Sequence, residues 1–205
     1  MNKLKYLLIW CLVLGTFISC GDKEDEGEPA SAAQQDYLPT TKGSTWNYGG
    51  ITPYTLTVTG ATKVVNGKTY YEMETKQGSD VRKSYVVKDK GVYTAIGFVP
   101  NSGEIELSIL KEETPVGKPW EQTNVINGVE TKMACTIVEK DVTKTVEGKT
   151  YKNVINVQMV TTFLFKGQDL GTAITTNYYY AKGVGLILSD FGAQGQVPLL
   201  TYDVK

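Results

Sequence analysis

Two-residue alternation of apolar and polar side chains is the feature that most constrains the fold of this chain. Apolar residues alternate with threonines over residues 54–58, and with glutamates and a serine over residues 104–109. Successive side chains of a strand point to opposite faces, so this pattern predicts strands with one buried face. After residue 36, no segment has the 3.6-residue apolar period of an amphipathic helix. The chain is therefore predicted to be all-β.

Turn signals recur at short intervals through the same region. A glycine that follows a polar residue offers the positive φ that tight hairpin turns need. Such signals occur at Asn66-Gly67, Asp89-Lys90-Gly91, Asn127-Gly128, Glu147-Gly148, Lys166-Gly167 and Lys182-Gly183. They predict an antiparallel meander of about ten to twelve strands, which is expected to curl into a barrel-like sheet or fold into a sandwich. One face of the longest run is expected to carry Tyr151, Asn153, Ile155, Val157 and Met159.

Two segments of this region nearly repeat. Residues 62–70 match residues 143–151 at seven of nine positions. A Gly-x-x-Trp precedes each segment, ending at Trp46 and at Trp120, and a later Lys-Gly-Val follows each. Convergent hairpin chemistry could produce the nine-residue match alone, but the shared order of landmarks favours duplication. We therefore expect residues 37–205 to form a single β domain whose halves span about 38–110 and 111–205.

Composition removes several classes of function. The sequence contains no histidine, which excludes the Ser-His and Cys-His nucleophile systems and histidine-ligated metals. Arg82 is the single arginine and the formal net charge is −1, so no nucleic-acid partner is expected. Cys135, which alternates with Met133 and Ile137, is expected to be an inert buried thiol.

No group of residues carries a convincing catalytic pattern. Gly-Lys-Thr at residues 67–69 and 148–150 lacks the earlier glycine and the following helix of a phosphate loop. Glu104 and Glu106 share one strand face and could act as paired carboxylates, although such neighbours more often form a solvated outer face. We therefore expect no enzyme, no catalytic residues, no cofactor and no metal site.

The first nineteen residues are predicted to be a signal peptide. Two lysines precede an apolar run over residues 6–18, which is too short to span a bilayer comfortably. Residues 17–20, Phe-Ile-Ser-Cys, resemble the lipobox of bacterial lipoproteins, except that leucine is usual where Phe17 stands. The resemblance implies that Cys20 carries palmitate-type acyl chains and anchors the chain to a membrane. The alternatives are an ordinary cleaved signal, an uncleaved anchor, or lipidation at Cys11, where bulky Trp10 fits cleavage poorly.

Residues 20–36 are predicted to be the lipidated cysteine and an acidic, flexible tether. This segment is low in apolar residues, and five acidic residues lie within residues 22–28. An acidic run directly after the acylated cysteine resembles the export signal of Bacteroidota lipoproteins. That resemblance implies an outer-membrane lipoprotein exposed at the cell surface, whereas the simpler interpretation is a solvated tether.

Three further landmarks resemble uncharacterised Bacteroidota cell-surface lipoproteins, which open with Pro-x-x-x-Gly-x-x-Trp-x-Tyr and close near Gly-Val-Gly. The matching residues here are 38–48, 65–71 and 180–186. The resemblance implies a β-rich envelope protein and supplies no catalytic residues.

The aromatic residues suggest how such a protein could bind. Tyr178, Tyr179 and Tyr180 are consecutive, so at least one should point away from the core unless both faces of the strand are covered. They are the predicted aromatic contact patch of a non-catalytic binding or accessory module for a glycan or an envelope partner protein. The alternative is a barrel-like carrier of a lipid or other hydrophobic ligand. An exposed tyrosine patch would favour the first, and an apolar interior that side chains leave unfilled would favour the second.

Overall fold

The computed structural model describes residues 35–205, and the predicted signal peptide, Cys20 and nearly all of the tether lie outside them. The described chain forms twelve strands and one 3-10 turn (Gly192–Gln194). The strands are β1 (Thr45–Tyr48), β2 (Tyr54–Val65), β3 (Lys68–Gln77), β4 (Asp80–Asp89), β5 (Val92–Val99), β6 (Gly103–Lys111), β7 (Pro119–Ile126), β8 (Val129–Val146), β9 (Lys149–Phe165), β10 (Gln168–Ala181), β11 (Gly185–Asp190) and β12 (Gln196–Asp203).

All twelve strands belong to one antiparallel sheet. Its order is β6-β5-β4-β3-β2-β1-β12-β11-β10-β9-β8-β7, so consecutive strands pair throughout except for β6 and β7, and β1 also pairs with β12. The two outermost strands, β6 and β7, are consecutive in sequence and meet through side chains. The sheet therefore curls into a nearly closed barrel. The predicted all-β meander is confirmed, in its barrel-like form.

Tight turns close the hairpins where the sequence predicted them. Five turns pair a non-glycine residue with a glycine, both at positive φ: Asn66-Gly67, Lys90-Gly91, Asn127-Gly128, Glu147-Gly148 and Lys166-Gly167. Two consecutive positive φ values define the type I′ turn, whose twist matches that of the flanking strands. At Lys182-Gly183 the turn is longer and only the glycine has a positive φ.

The repeated landmarks occupy strands six apart. Trp46 lies on β1 and Trp120 on β7, and the near-repeat segments form the β2–β3 and β8–β9 hairpins. The backbone agrees in detail, because Gly43 N donates to Val58 O and Gly117 N donates to Ile137 O, each at 2.9 Å. A duplication would produce this placement, and the division into halves stays an interpretation of it.

Bulges make the β8–β9 hairpin bend, which corrects one prediction. Residues 151–159 were expected to keep one face, but the register shifts between Val142 and Lys144, and Asn153 takes a φ of 52°. Tyr151 therefore packs in the cluster that contains Tyr179, whereas Ile155 and Val157 belong to a separate cluster. Alternation cannot reveal this break, because a bulge adds one residue without changing the local pattern.

The barrel has two unlike ends, because the turns of a meander alternate between them. The chain enters at the closed end, where residues 36–39 lie across the strands. Tyr37 N donates to the Tyr93 hydroxyl at 3.0 Å, and Gly183 N donates to Asp36 O at 2.8 Å. The open end carries the turns that follow β1, β3, β5, β7, β9 and β11. Most of the exposed large apolar residues lie near those turns: Ile51, Val81, Phe98, Val125, Phe165 and Leu170.

Candidate ligand-binding site

The side chains inside the barrel leave two adjoining apolar cavities. The central cavity has a volume of about 170 Å³, and its walls include Ile109, Cys135, Val157, Tyr178 and Tyr180. The plug-side cavity has a volume of about 140 Å³ and lies beneath the residues of the closed end; its walls include Leu38, Trp46, Tyr54, Met73, Ile109 and Tyr180. The two cavities share Ile109 and Tyr180, so these side chains separate the two volumes.

A third cavity leads from these volumes toward the open end. This mouth cavity has a volume of about 230 Å³ and is bounded by Phe98 and Ile126, which flank open-end turns. It shares Leu107 with the central cavity and Ser84 with the plug-side cavity. The three cavities therefore adjoin one another between the open end and the plug. No charged side chain lines any of the three cavities among residues 35–205.

The three consecutive tyrosines do not share one surface. Tyr178 and Tyr180 line the central cavity, while Tyr179 lies outside it, packed beneath the tip of the β8–β9 hairpin with Lys144 Nζ 4.1 Å from its ring centre. Tyr179 and Tyr180 are 8% and 4% exposed, so they do not form an exposed patch. Contact of these residues with a ligand stays a prediction, and for Tyr178 and Tyr180 any such contact would be inside the barrel.

Four tyrosines from three strands face the interior. Tyr48 and Tyr54 stack with ring centres 4.5 Å apart, and the Tyr48 hydroxyl donates to Leu186 O at 2.8 Å. No hydrogen bond joins the hydroxyl of Tyr54 or Tyr180 to another of the described residues, and neither is among the fully buried unpartnered atoms, so both border cavity space. Burial raises the pKa of Tyr54 to about 12 and the pKa of Tyr180 well above its usual value. These phenols are therefore neutral at physiological pH and keep their donor protons.

Side chains hold β6 and β7 together where the backbone ladder is missing. Gln122 on β7 accepts a hydrogen bond from Ser108 N at 2.9 Å and donates to Ser108 O at 3.4 Å. Trp120 Nε1 donates to the same carbonyl at 3.1 Å, and near the open end Asn127 N donates to Ser102 Oγ at 2.7 Å. One amide side chain thus replaces a strand partner for Ser108. This seam borders the central cavity, because Ser108 and Gln122 also line it.

Cys135 lies in the wall of the central cavity. It is a free cysteine with 2% exposure, which confirms that the thiol is buried. Burial raises the pKa of this thiol to about 11. Its chemical inertness stays a prediction.

Another groove lies beside the mouth cavity and shares Ile96, Gly97 and Phe98 with it. It has a volume of about 520 Å³ and is lined by aromatic, charged and small residues: Val81, Arg82, Lys83, Tyr85, Ile96, Gly97, Phe98, Pro100 and Glu104. Its ion pairs are internal, because Lys63 contacts Glu104 at 2.7 Å and Lys83 contacts Glu72 at 3.0 Å. Phe98 is 67% exposed at the rim. The groove therefore combines an open aromatic surface with balanced charge.

The structure places the other chemically interesting residues in supporting contacts. Glu104 pairs with Lys63, and Glu106 accepts a hydrogen bond from the Tyr70 hydroxyl at 3.0 Å. Trp46 and Trp120 are both buried, as expected of core residues. Within residues 35–205, no three Cys, Asp or Glu side chains lie together in a way that could hold a metal ion. Over the same residues, the structure has no helix long and apolar enough to cross a membrane.

The sequence does not single out Tyr54 or Gln122. Tyr54 is one of many apolar residues in an alternating pattern, and the pairing of β1 with β2 brings it beside Tyr48. No local sequence pattern marks Gln122, because its role depends on the long-range approach of the two edge strands, β6 and β7. The spacing of Tyr178 and Tyr180 did contain the information that they share a face.

Among known proteins, one solved structure has a fold similar to that of this chain. A solved structure from Parabacteroides distasonis ATCC 8503, described as a "putative lipoprotein", is similar to this chain with a TM-score of 0.50 and 12% sequence identity. The similarity covers 82% of this chain and 99% of that chain. At this identity the likeness shows a shared fold. No protein-family model matches the sequence, and the search of curated proteins finds no match.

Proposed function

We propose that this protein is a membrane-anchored lipoprotein that binds a small apolar molecule inside its barrel and performs no catalysis. The main support for this proposal is the row of three adjoining cavities between the open end and the plug, whose walls contain no charged side chain among the described residues. Binding sites for small molecules are typically concave, mostly apolar and provided with a few polar groups. Of the two binding modes that the sequence suggested, the hydrophobic carrier is therefore the better supported.

The size of the cavities supports a ligand of modest length. An apolar protein cavity of about 150 Å³ accepts a benzene molecule. The central and plug-side cavities, of about 170 Å³ and 140 Å³, are each of that size and adjoin at Tyr180. A medium-length alkyl chain or a small ring system matches this space, whereas a complete phospholipid does not.

The proposed anchor is Cys20, acylated after removal of residues 1–19, in the outer membrane of a bacterial envelope and exposed at the cell surface. Support comes from the lipobox-like residues and from the fold shared with the described Parabacteroides protein. The tether joins the barrel at its closed end, so the open end would face away from the anchor.

A thermal-shift panel on residues 20–205, produced without the signal peptide and therefore without lipid, tests the proposal. The panel contains medium-chain alkanes, alcohols, ketones and fatty acids, with soluble polysaccharides and peptidoglycan fragments beside them. A ligand at 100 times its Kd adds about 2.7 kcal/mol of stability, which raises the Tm of a domain of this size by about 5–10 °C. We expect shifts with apolar compounds. Shifts with none of them would overturn the proposal.

The groove beside the mouth cavity supports a second candidate, the binding of a glycan. Exposed Phe98 and partly buried Tyr85 offer aromatic faces, and Arg82 and Glu104 offer donors and acceptors beside them. The polysaccharides of the same panel test it. A shift that Phe98→Ala abolishes, while Phe165→Ala leaves it intact, would support a glycan site in this groove. A glycan shift that neither variant changes would place the site elsewhere.

A further inference from the structure

The interior contains polar groups that the fold itself does not use. Tyr180 is only 4% exposed and lines both the central and the plug-side cavity. Its hydroxyl has no hydrogen-bond partner among the described residues. This hydroxyl is not among the fully buried unpartnered atoms of the described residues, so it borders the cavity space, where water or a ligand can reach it. Tyr48, which faces the same cavity, shows the usual arrangement, because its hydroxyl donates to Leu186 O.

Two more phenol groups lie near that of Tyr180. Tyr54 lines the plug-side cavity and Tyr178 lines the central cavity, one on each side of Tyr180. Tyr178 lies close enough to both of the others that its charge would raise their pKa values. Two strands, β2 and β10, thus bring three tyrosines to the place where two apolar cavities adjoin.

We propose that Tyr54, Tyr178 and Tyr180 form the polar recognition site of the barrel, which donates hydrogen bonds to a neutral carbonyl oxygen within an otherwise apolar ligand. This inference rests on the proposed function and specifies its ligand class. The ligand has apolar parts on both sides of the carbonyl, one for the central cavity and one for the plug-side cavity. A mid-chain ketone or an ester of medium length has this form.

The absence of charge in the cavity walls selects a neutral ligand group. A carboxylate would lose its hydration on entry, and none of the described wall residues is a lysine or arginine that could compensate its charge. An alkane would fit the apolar walls but would leave the hydroxyls of Tyr54 and Tyr180 without a protein or ligand partner, whereas that of Tyr178 also contacts Thr176. A carbonyl oxygen accepts two hydrogen bonds and carries no charge, so it satisfies the donors without that desolvation penalty.

Four probes of equal chain length separate these possibilities: 6-undecanone, 2-undecanone, undecane and undecanoate. Their affinities for residues 20–205 are measured by calorimetric titration, with the wild type beside Tyr180→Phe and Tyr178→Phe. Tyr151→Phe is the matched control, because Tyr151 is equally buried but lines neither the central nor the plug-side cavity. The Tyr→Phe changes keep the ring, so the variants keep the cavity walls.

We expect 6-undecanone to bind most tightly and undecanoate most weakly. Tyr180→Phe should lower the affinity for 6-undecanone about 5- to 10-fold, as expected for one lost hydrogen bond, and should leave undecane within about twofold. Equal affinities for ketone and alkane, or equal losses for both in Tyr180→Phe, would overturn the tyrosine site while leaving an apolar barrel. Binding of none of the four probes would overturn the proposed function itself, and the tyrosine site with it.

Discussion

Tyr180 and Tyr48 present the same phenol group in two different states inside one barrel. The Tyr48 hydroxyl is satisfied by Leu186 O, whereas the Tyr180 hydroxyl has no partner among residues 35–205. Removing a satisfied hydroxyl leaves its acceptor unpaired, whereas removing one that borders cavity space leaves no protein acceptor unpaired. The two positions therefore respond differently to the same substitution.

We predict that Tyr180→Phe changes the stability of the unliganded protein by less than about 0.5 kcal/mol, and that Tyr48→Phe lowers it by about 1 kcal/mol. Urea unfolding, followed by tryptophan fluorescence, measures both changes. A loss of stability in Tyr180→Phe as large as that in Tyr48→Phe would show that the Tyr180 hydroxyl has a structural partner.

Cys135 provides a second test at the residue scale. Burial raises the pKa of its thiol from an ordinary 9.0 to about 11, so at pH 8 its thiolate population is about 100-fold lower than that of an exposed cysteine. We predict that iodoacetamide modifies the native protein at least about 100-fold more slowly than the urea-unfolded protein. The difference should narrow above pH 11, where the native thiol ionises. Equal rates at pH 8 would mean that the central cavity is open to solvent.

Strands β6 and β7 are joined by a side-chain contact instead of a backbone ladder. An antiparallel sheet normally joins its strands through the backbone ladder, but here Gln122 supplies both an acceptor and a donor to Ser108. An edge strand that lacks a partner exposes its backbone groups, and this amide covers one pair of them. The seam is thus the weakest line in the wall of the barrel.

We predict that Gln122→Ala lowers the free energy of unfolding by about 1–2 kcal/mol, because the Ser108 amide loses its acceptor at a partly buried position. Backbone hydrogen exchange should speed up in β6 and β7 and remain unchanged in the central strands β1 and β12. Gln168→Ala, at an exposed position on β10, is the control. Exchange that is unaffected in β6 and β7 would contradict the bridging role of Gln122.

Local sequence signals were sufficient for most elements and insufficient for the site. Alternation and glycine-containing turns define β2 and its hairpin partner, because both depend on neighbouring residues. The bend at Asn153 was missed, since its bulge depends on a register shift against β8. The recognition site was missed for a similar reason. Tyr54 and Tyr180 are far apart in sequence and meet only when β1 pairs with β12 and the sheet curls.

In the molecule as a whole, the chain enters the barrel at the closed end, and the cavities lead to the open end. Residues 36–39 seal the closed end, where Lys88 also contacts Asp36 at 2.7 Å. The exposed apolar residues concentrate around the open end, beside the mouth cavity. An anchor that precedes residue 36 would leave the mouth free for an incoming ligand.

The anchor yields a direct prediction in cells. Two acyl chains hold a protein stably on a membrane, so replacing the acylated cysteine should release it. We predict that the wild type, expressed in a Bacteroidota host, incorporates labelled palmitate and sediments with outer membranes. Cys20→Ala should do neither, and Cys11→Ala should behave as the wild type. Palmitate labelling that persists in Cys20→Ala would refute lipidation at this residue.

Titration of residues 20–205 with the fluorophore 1-aminoanthracene measures whether the barrel interior binds an apolar molecule. A cavity-filling variant, Leu107→Trp, blocks the junction of the central and mouth cavities, and Val116→Trp places the same side chain on an exposed loop. We predict one saturable site in the wild type and in Val116→Trp, with affinity at least about 10-fold lower in Leu107→Trp, a difference of about 1.4 kcal/mol. Absence of saturable binding, or equal affinity in both variants, would contradict the account.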